Sequence, residues 1–279
     1  MLTYSVAGWQ PAGQDDLVAP PEMVLSDLRE AWSPALAGRL LGLYLHGSLV
    51  AGDFAADRSD LDLLAVLDGD PDEGLLAVLA GLHADLDGRH PQWAGRIEVE
   101  YVSLDAARHA ALGDARRDHV IARVSPGESL HLLPATTHRV VTWSAVHDHG
   151  RSLLGPPPDM LLPAVDPNLV RSALLDHVRD WPTWVIQMTT PGAESYAVLT
   201  LCRAFQRLQN GRQLSKRQAA DQTVTAYPRW ADLIIWARDW WYNFGQDTDP
   251  GRADHVRAFV DELSTAILVS ERDPHALRT

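Results

Sequence analysis

The chain has 279 residues, 46% apolar and 22% charged, which describes a folded globular protein of one large or two modest domains rather than a disordered or fibrous one. Its 37 acidic and 24 basic side chains give a net charge of −13, which repels a phosphate backbone and argues against a nucleic-acid partner. The same charge steers cations, either metal ions or polyamine-like substrates, toward the surface, although solubility alone accounts for it equally well. A single cysteine, Cys202, excludes an intrachain disulfide and a cysteine zinc site, and suits a reducing compartment.

The first ten residues carry neither a basic segment nor a long apolar one. No stretch approaches the ~18 apolar residues of a membrane span, so a cytoplasmic protein with no membrane partner is expected. Pro21 to Trp32 has helical spacing through Val24, Leu25, Leu28 and Trp32. Leu41 to His46 places Leu41, Leu43 and Leu45 on one face, as a strand does. Leu61 to Leu67 is a nearly continuous apolar run suited to a central strand. Leu75 to Leu86 reads as a helix. Arg96 to Val102 alternates, with Ile97, Val99 and Tyr101 facing one way and Glu98 and Glu100 the other.

Gly155-Pro156-Pro157-Pro158, with Pro163 and Pro167 after it, reads as a linker. Beyond it only helical patterns occur. Asp166-Pro167 caps and opens the first, and Tyr196 to Leu208 is followed by Gly211 as a stop. Ser215 and Gln218 form a capping box, and Arg229 to Phe244 and Ala253 to Ile267 complete the set. Six of the ten tryptophans lie here and read as core filling. The expected fold is α+β: an α/β domain over 1–155, then a helical bundle over 156–279.

The chemistry lies between the first two strands, in Gly47-Ser48, ten intervening residues, and Ser59-Asp60-Leu61-Asp62. Asp60 and Asp62 are two apart at the start of a strand, so both carboxylates project from one face. Burying that repulsion unpaired is costly, and a divalent cation completed by substrate phosphates resolves it. Gly47 lets backbone approach closely, while Ser48 and neighbouring N–H groups can hold phosphate oxygens. A third carboxylate would share the metal or take a proton from an attacking hydroxyl, and Glu98 and Glu100 both remain candidates. An Asp-x-Asp pair alone is common on surfaces; the surrounding strands, Gly-Ser turn and acidic strand give it meaning. Lys216 stands one residue inside a helix start, where the macrodipole disfavours a cation and an incoming anion would be welcome. A solvated surface lysine is the plainer account.

This pattern resembles the nucleotidyltransferase superfamily of polymerase β-like and antibiotic-modifying enzymes, and within it the streptomycin/spectinomycin adenylyltransferases. The resemblance runs from about Leu41 to Phe244. It includes Leu43-Tyr-Leu-His-Gly-Ser48 as the leading strand and Gly150 to Pro156 as a closing helix and linker. Further on it includes Val198 to Arg203 and Asn210 to Lys216. It implies an N-terminal nucleotidyltransferase domain that transfers AMP from ATP, with Mg²⁺, to a hydroxyl of a small hydroxylated amine such as spectinomycin. By that resemblance Gly47, Ser48 and Ser59 hold the triphosphate, and Asp60 and Asp62, with Glu98, hold the metal. Glu98 is then the general base, Lys216 contacts phosphate and Tyr242 the nucleotide, with ATP bridging the two halves. A monomer is expected. A nucleic-acid or protein nucleotidyltransferase, or a non-catalytic antitoxin-like protein, are the rival readings.

Two departures bear on the acceptor. Relatives that take streptomycin carry a tryptophan after the base strand, yet no Phe, Trp or Tyr occurs here between Tyr101 and Trp143. Their acidic residue aligns with Ala193, with Glu194 beside it. Streptomycin is therefore expected to be a poor substrate. The histidines, His147 and His149 included, lack carboxylate or cysteine partners at metal-site spacing and read as solvent-facing or core residues. Cys202, among Leu199, Leu201 and Phe205, reads as a small core residue.

Overall fold

The computed structural model describes residues 20–114, 118–243 and 249–272; the first ten residues and Phe244 lie outside them. The chain divides into two compact units, Met1–Val170 and Arg171–Thr279.

The first unit runs α1 (Pro21–Ala35), β1 (Leu40–His46), α2 (Gly47–Val50), β2 (Leu61–Leu67), α3 (Glu73–Arg89) and β3 (Ile97–Ser103). It continues through α4 (Leu104–Ala111), β4 (Val120–Ser125), β5 (Glu128–Pro134), α5 (Val140–His149), β6 (Arg151–Leu154) and α6 (Pro158–Leu161). The strands form one mixed sheet in the order β5-β4-β3-β2-β1-β6, parallel at β2–β3 and antiparallel elsewhere. Strand period two decides what each face carries. Leu43, Leu45, Leu61, Leu63, Ala65, Ile97, Val99 and Tyr101 share one buried cluster with Val24, Leu28 and Trp32 of α1 and Leu75, Leu79 and Leu86 of α3. Burial of each such large side chain contributes roughly 1.5–3 kcal/mol. The alternate positions, among them Tyr44, Asp62, Glu98 and Glu100, point to the other face, which α5 covers through Trp143.

Three readings of the sequence are corrected. Arg151–Leu154, taken by resemblance as part of a closing helix, is an edge strand paired with β1. Gly155 ends it at φ +82°, its Cα so close that a Cβ would stand 2.4 Å from the Leu41 carbonyl oxygen. The proline run is not only linker: Pro158 opens α6, a first-turn position where the missing N–H costs nothing. The β4–β5 hairpin escaped notice, although Pro126-Gly127 marks its turn and Gly127 has φ +79°.

The second unit is helical among the described residues: α7 (Pro167–Trp184), which begins before the division, then α8 (Pro191–Asn210), α9 (Lys216–Ala226), α10 (Ala231–Tyr242) and α11 (Arg252–Arg272). Asp166 accepts the Asn168 N–H at 2.8 Å, Gly211 stops α8 in the left-handed region, and Ser215 with Gln218 makes the expected capping box. The central helix α8 packs against α9, α10 and α11. Cys202 is fully buried within it, and burial pushes its thiol pKa up to about 12. The tryptophans depart from simple core filling. Trp181 is buried, whereas Trp184, Trp230, Trp236, Trp240 and Trp241 are partly exposed. Three of them carry cations on their faces: Arg229 on Trp230, Arg252 on Trp236 and Lys216 on Trp241. The indole quadrupole attracts a cation at such positions, so these rings serve the surface as well as the core.

Because Gly155 combines positive φ with contact against β1, Gly155→Ala is expected to destabilise the protein by at least ~1–2 kcal/mol, the usual cost of left-handed backbone for an L-residue. The midpoint of urea unfolding measures it, and an unchanged midpoint would show that β6 is not pinned there.

Candidate active site

The sheet register brings two sequence-predicted positions, Asp62 and Glu98, together with His46. Asp62 lies opposite His46 on β1 and opposite Glu98 on the parallel strand β3, so the three side chains form a row across one face. Gly47, at φ +71°, follows directly on His46, and a Cβ there would stand 1.9 Å from an Asp62 carboxylate oxygen. Only glycine fits beside that carboxylate. Ser48 is the next residue, half-buried in the single-turn helix α2.

Asp60 stands one residue before β2, at the end of a loop fastened at several points. Arg96 donates to the carbonyls of Ala56 and Ser59, both at 2.6 Å, and its guanidinium stacks on Trp93 at 4.6 Å. Phe54 stacks on the same indole at 6.2 Å. Ser59 is buried, its Oγ accepting the Ala55 N–H at 3.0 Å. That serine braces the loop ahead of the acidic pair, and its hydroxyl retains a proton to donate.

Glu98 and Glu100 share a face but have different surroundings. Glu98 is 29% exposed and accepts from Arg123 at 3.0 Å; Arg123 also binds Glu128 at 2.8 Å. Its carboxyl is held above the ordinary range. Burial is the main cause and Asp62's negative charge adds to it, while Arg123 and His46 oppose. A more basic carboxylate beside a second acid suits either proton acceptance or a shared cation. Glu100 is buried, ion-paired with Arg139 at 2.9 Å, and accepts the indole N–H of Trp143. It is an internal anchor for α5 and the segment before it. Arg123 and Trp143 were missed in the sequence because each acts through a hairpin or helix whose pairing no local pattern reveals. Arg123 lies opposite Glu100 in the β3–β4 register.

Asp62 and Glu98 are neighbouring hard carboxylates whose repulsion is visible at Glu98, beside a glycine that leaves room, and carboxylate oxygens are the donors a hard divalent cation takes. The other predicted positions lie in the helical unit. Lys216, half-buried at the first position of α9, has its Nζ 3.8 Å above the Trp241 ring and 5.3 Å from that of Tyr196. Tyr242, at the end of α10, carries the Arg217 guanidinium at 3.9 Å. Of the remaining histidines, His83 is half-buried on the Tyr101 hydroxyl and His90 is buried on Asp27.

No curated protein matches the sequence. Residues 160–266 match the family model described as aminoglycoside adenylyltransferase, C-terminal domain. Among solved structures, a spectinomycin adenyltransferase from Enterococcus faecialis, crystallised with ATP and spectinomycin, is similar at a TM-score of 0.71 and 15% identity. The likeness covers 89% of this chain and all of that one, and it is a likeness of fold.

The two glutamates separate by stability. Glu100→Gln breaks a buried charged pair and is expected to cost ~1.5–3 kcal/mol. Glu98→Gln also removes repulsion with Asp62 and should cost less than about 1 kcal/mol. Urea unfolding of both variants decides; the reverse order would exchange their roles.

Proposed function

We propose that this chain, an aminoglycoside adenylyltransferase-like protein, transfers AMP from ATP to a hydroxyl of an aminocyclitol such as spectinomycin, with Mg²⁺ held by Asp60, Asp62 and Glu98. The observation that carries the reading is the register of Asp62 with Glu98 beside Gly47, in a chain whose helical half matches that family.

The residues divide the work as follows. Ser48, Ser59 and the backbone at Gly47 hold triphosphate oxygens, and the glycine allows the close approach this requires. Asp60 and Asp62 would hold Mg²⁺, which when bound would supply charge neutralisation on the phosphates. Glu98 takes the proton of the substrate hydroxyl as its oxygen bonds to the α-phosphorus and the bond to pyrophosphate breaks. Arg123 keeps the Glu98 carboxylate turned along its face of the sheet, and Glu128 shares that guanidinium so that it does not wholly neutralise the base. Lys216 and Tyr242 are assigned to the nucleotide on the family resemblance. Their aromatic and cationic neighbours restrict both side chains, which lowers the entropy lost on binding.

Asp60→Asn and Asp62→Asn should each abolish pyrophosphate release while circular dichroism stays unchanged. Glu98→Gln should lower kcat at least ~10²-fold and leave the ATP dissociation constant near that of the parent. Activity retained in both aspartate variants would refute the metal assignment, and an unaffected kcat in Glu98→Gln would remove Glu98 as base.

Acceptor choice follows from what the site lacks. No Phe, Trp or Tyr lies between Tyr101 and Trp143, and Ala193 and Glu194 are both buried in the first turn of α8. A guanidinium-bearing acceptor loses a stacking surface of roughly 0.5–2 kcal/mol. The expected result is a kcat/KM for spectinomycin exceeding that for streptomycin by ~2–30-fold. Equal or reversed values in side-by-side pyrophosphate assays would overturn this specificity.

A further inference from the structure

Far from the carboxylate row, three side chains converge without any role in the chemistry above. Asp105 and His109 lie four residues apart on α4, hence on one helix face. His119 stands one residue before β4, its carbonyl fixed by the Ala135 N–H at 2.9 Å. Nδ1 of His109 is 3.1 Å from Nε2 of His119, and an Asp105 carboxylate oxygen is 3.6 Å from each. Two ligands of a tetrahedral ion with bonds of ~2.0–2.1 Å stand roughly 3.3–3.4 Å apart, so the triangle has the size such an ion requires.

The surroundings fix the tautomer that ligation needs. Asp70, in the turn after β2, faces Nδ1 of His119 at 2.9 Å and is held in place by the Ser103 hydroxyl. The Ser103 oxygen in turn accepts the Ala106 N–H at the start of α4, at 3.1 Å. With the Nδ1–H of His119 donating to the Asp70 carboxylate, Nε2 of His119 presents a lone pair toward His109 Nδ1 and Asp105. A carboxylate behind a histidine with its other nitrogen facing further ligands is the usual outer arrangement of a metal-bound imidazole.

We propose that Asp105, His109 and His119 form a site for one borderline divalent cation of the Zn²⁺ class, with Asp70 orienting His119. Two imidazoles and one carboxylate at this spacing suit Zn²⁺ or Co²⁺, whereas Mg²⁺ takes six oxygens. Three protein ligands leave a position for water. The site lies past the C-terminal ends of β2 and β3, and the Asp62–Glu98 pair lies at their N-terminal ends. Seven strand residues, about 20 Å, separate them. Occupancy would tie α4, the start of β4 and the turn after β2 to one ion.

The test uses tag-free full-length protein carrying Asp60→Asn and Asp62→Asn, so that only the second site can answer. Titration with Co²⁺, followed by visible absorption, and with Zn²⁺, followed by calorimetry, is expected to show one equivalent bound and a rise in Tm. His109→Gln and His119→Ala should each weaken uptake at least ~100-fold, and Asp70→Asn ~10–100-fold, the usual effect of losing an outer carboxylate. His109→Gln alters a partly exposed helix position and decides the matter should His119→Ala not fold. Absence of saturable uptake, or uptake unchanged in His109→Gln, would overturn the proposal.

Discussion

The parallel pairing of β2 with β3 sets Asp62 opposite Glu98, and the N-terminal unit is arranged around that register. Side chains in a strand alternate between faces, so a slip of one residue would drive Glu98 and Glu100 into the apolar layer of α1 and α3. The register is secured from both sides. Leu61, Leu63, Ile97, Val99 and Tyr101 bind one face to the helices beneath. On the other, Glu100 engages Arg139 and Trp143. The costly burial of one carboxylate thereby aligns its neighbour two residues away.

Charge is distributed with the same economy in the helical unit. Partly exposed rings on α10 and just before it carry cations from α9, from α11 and from the turn beside them. Lys216 is positioned at a helix start against the local dipole, and the Trp241 face offsets what the dipole disfavours. A cation held in this way is available to an anion without being free to wander.

Much of this was legible in the sequence, and the reasons for the rest are physical. β2 has the predicted ends because a central strand buries both faces and reads as one apolar run. Caps at Asp166, Gly211 and Ser215 were legible because each acts within a few residues. Long-range pairing was not. β6 is four residues with no alternation, defined by its partner β1. Arg123 matters only once β4 lies beside β3, and Asp105 with His109 gains meaning only when His119 returns to α4. The pair Glu98 and Glu100 looked equivalent because period two makes them so; burial and partners distinguish them.

Cys202 gives the helical unit an internal clock. A thiol reacts as thiolate and only where a reagent can reach it. In folded α8 it is fully buried and its pKa is pushed to about 12, so both conditions fail together. The sequence holds no other cysteine, so every labelled molecule records an opening of this one helix. Labelling speed thus measures the local stability around α8 apart from that of the sheet. Any ligand that binds only the closed form slows the clock in proportion to its occupancy.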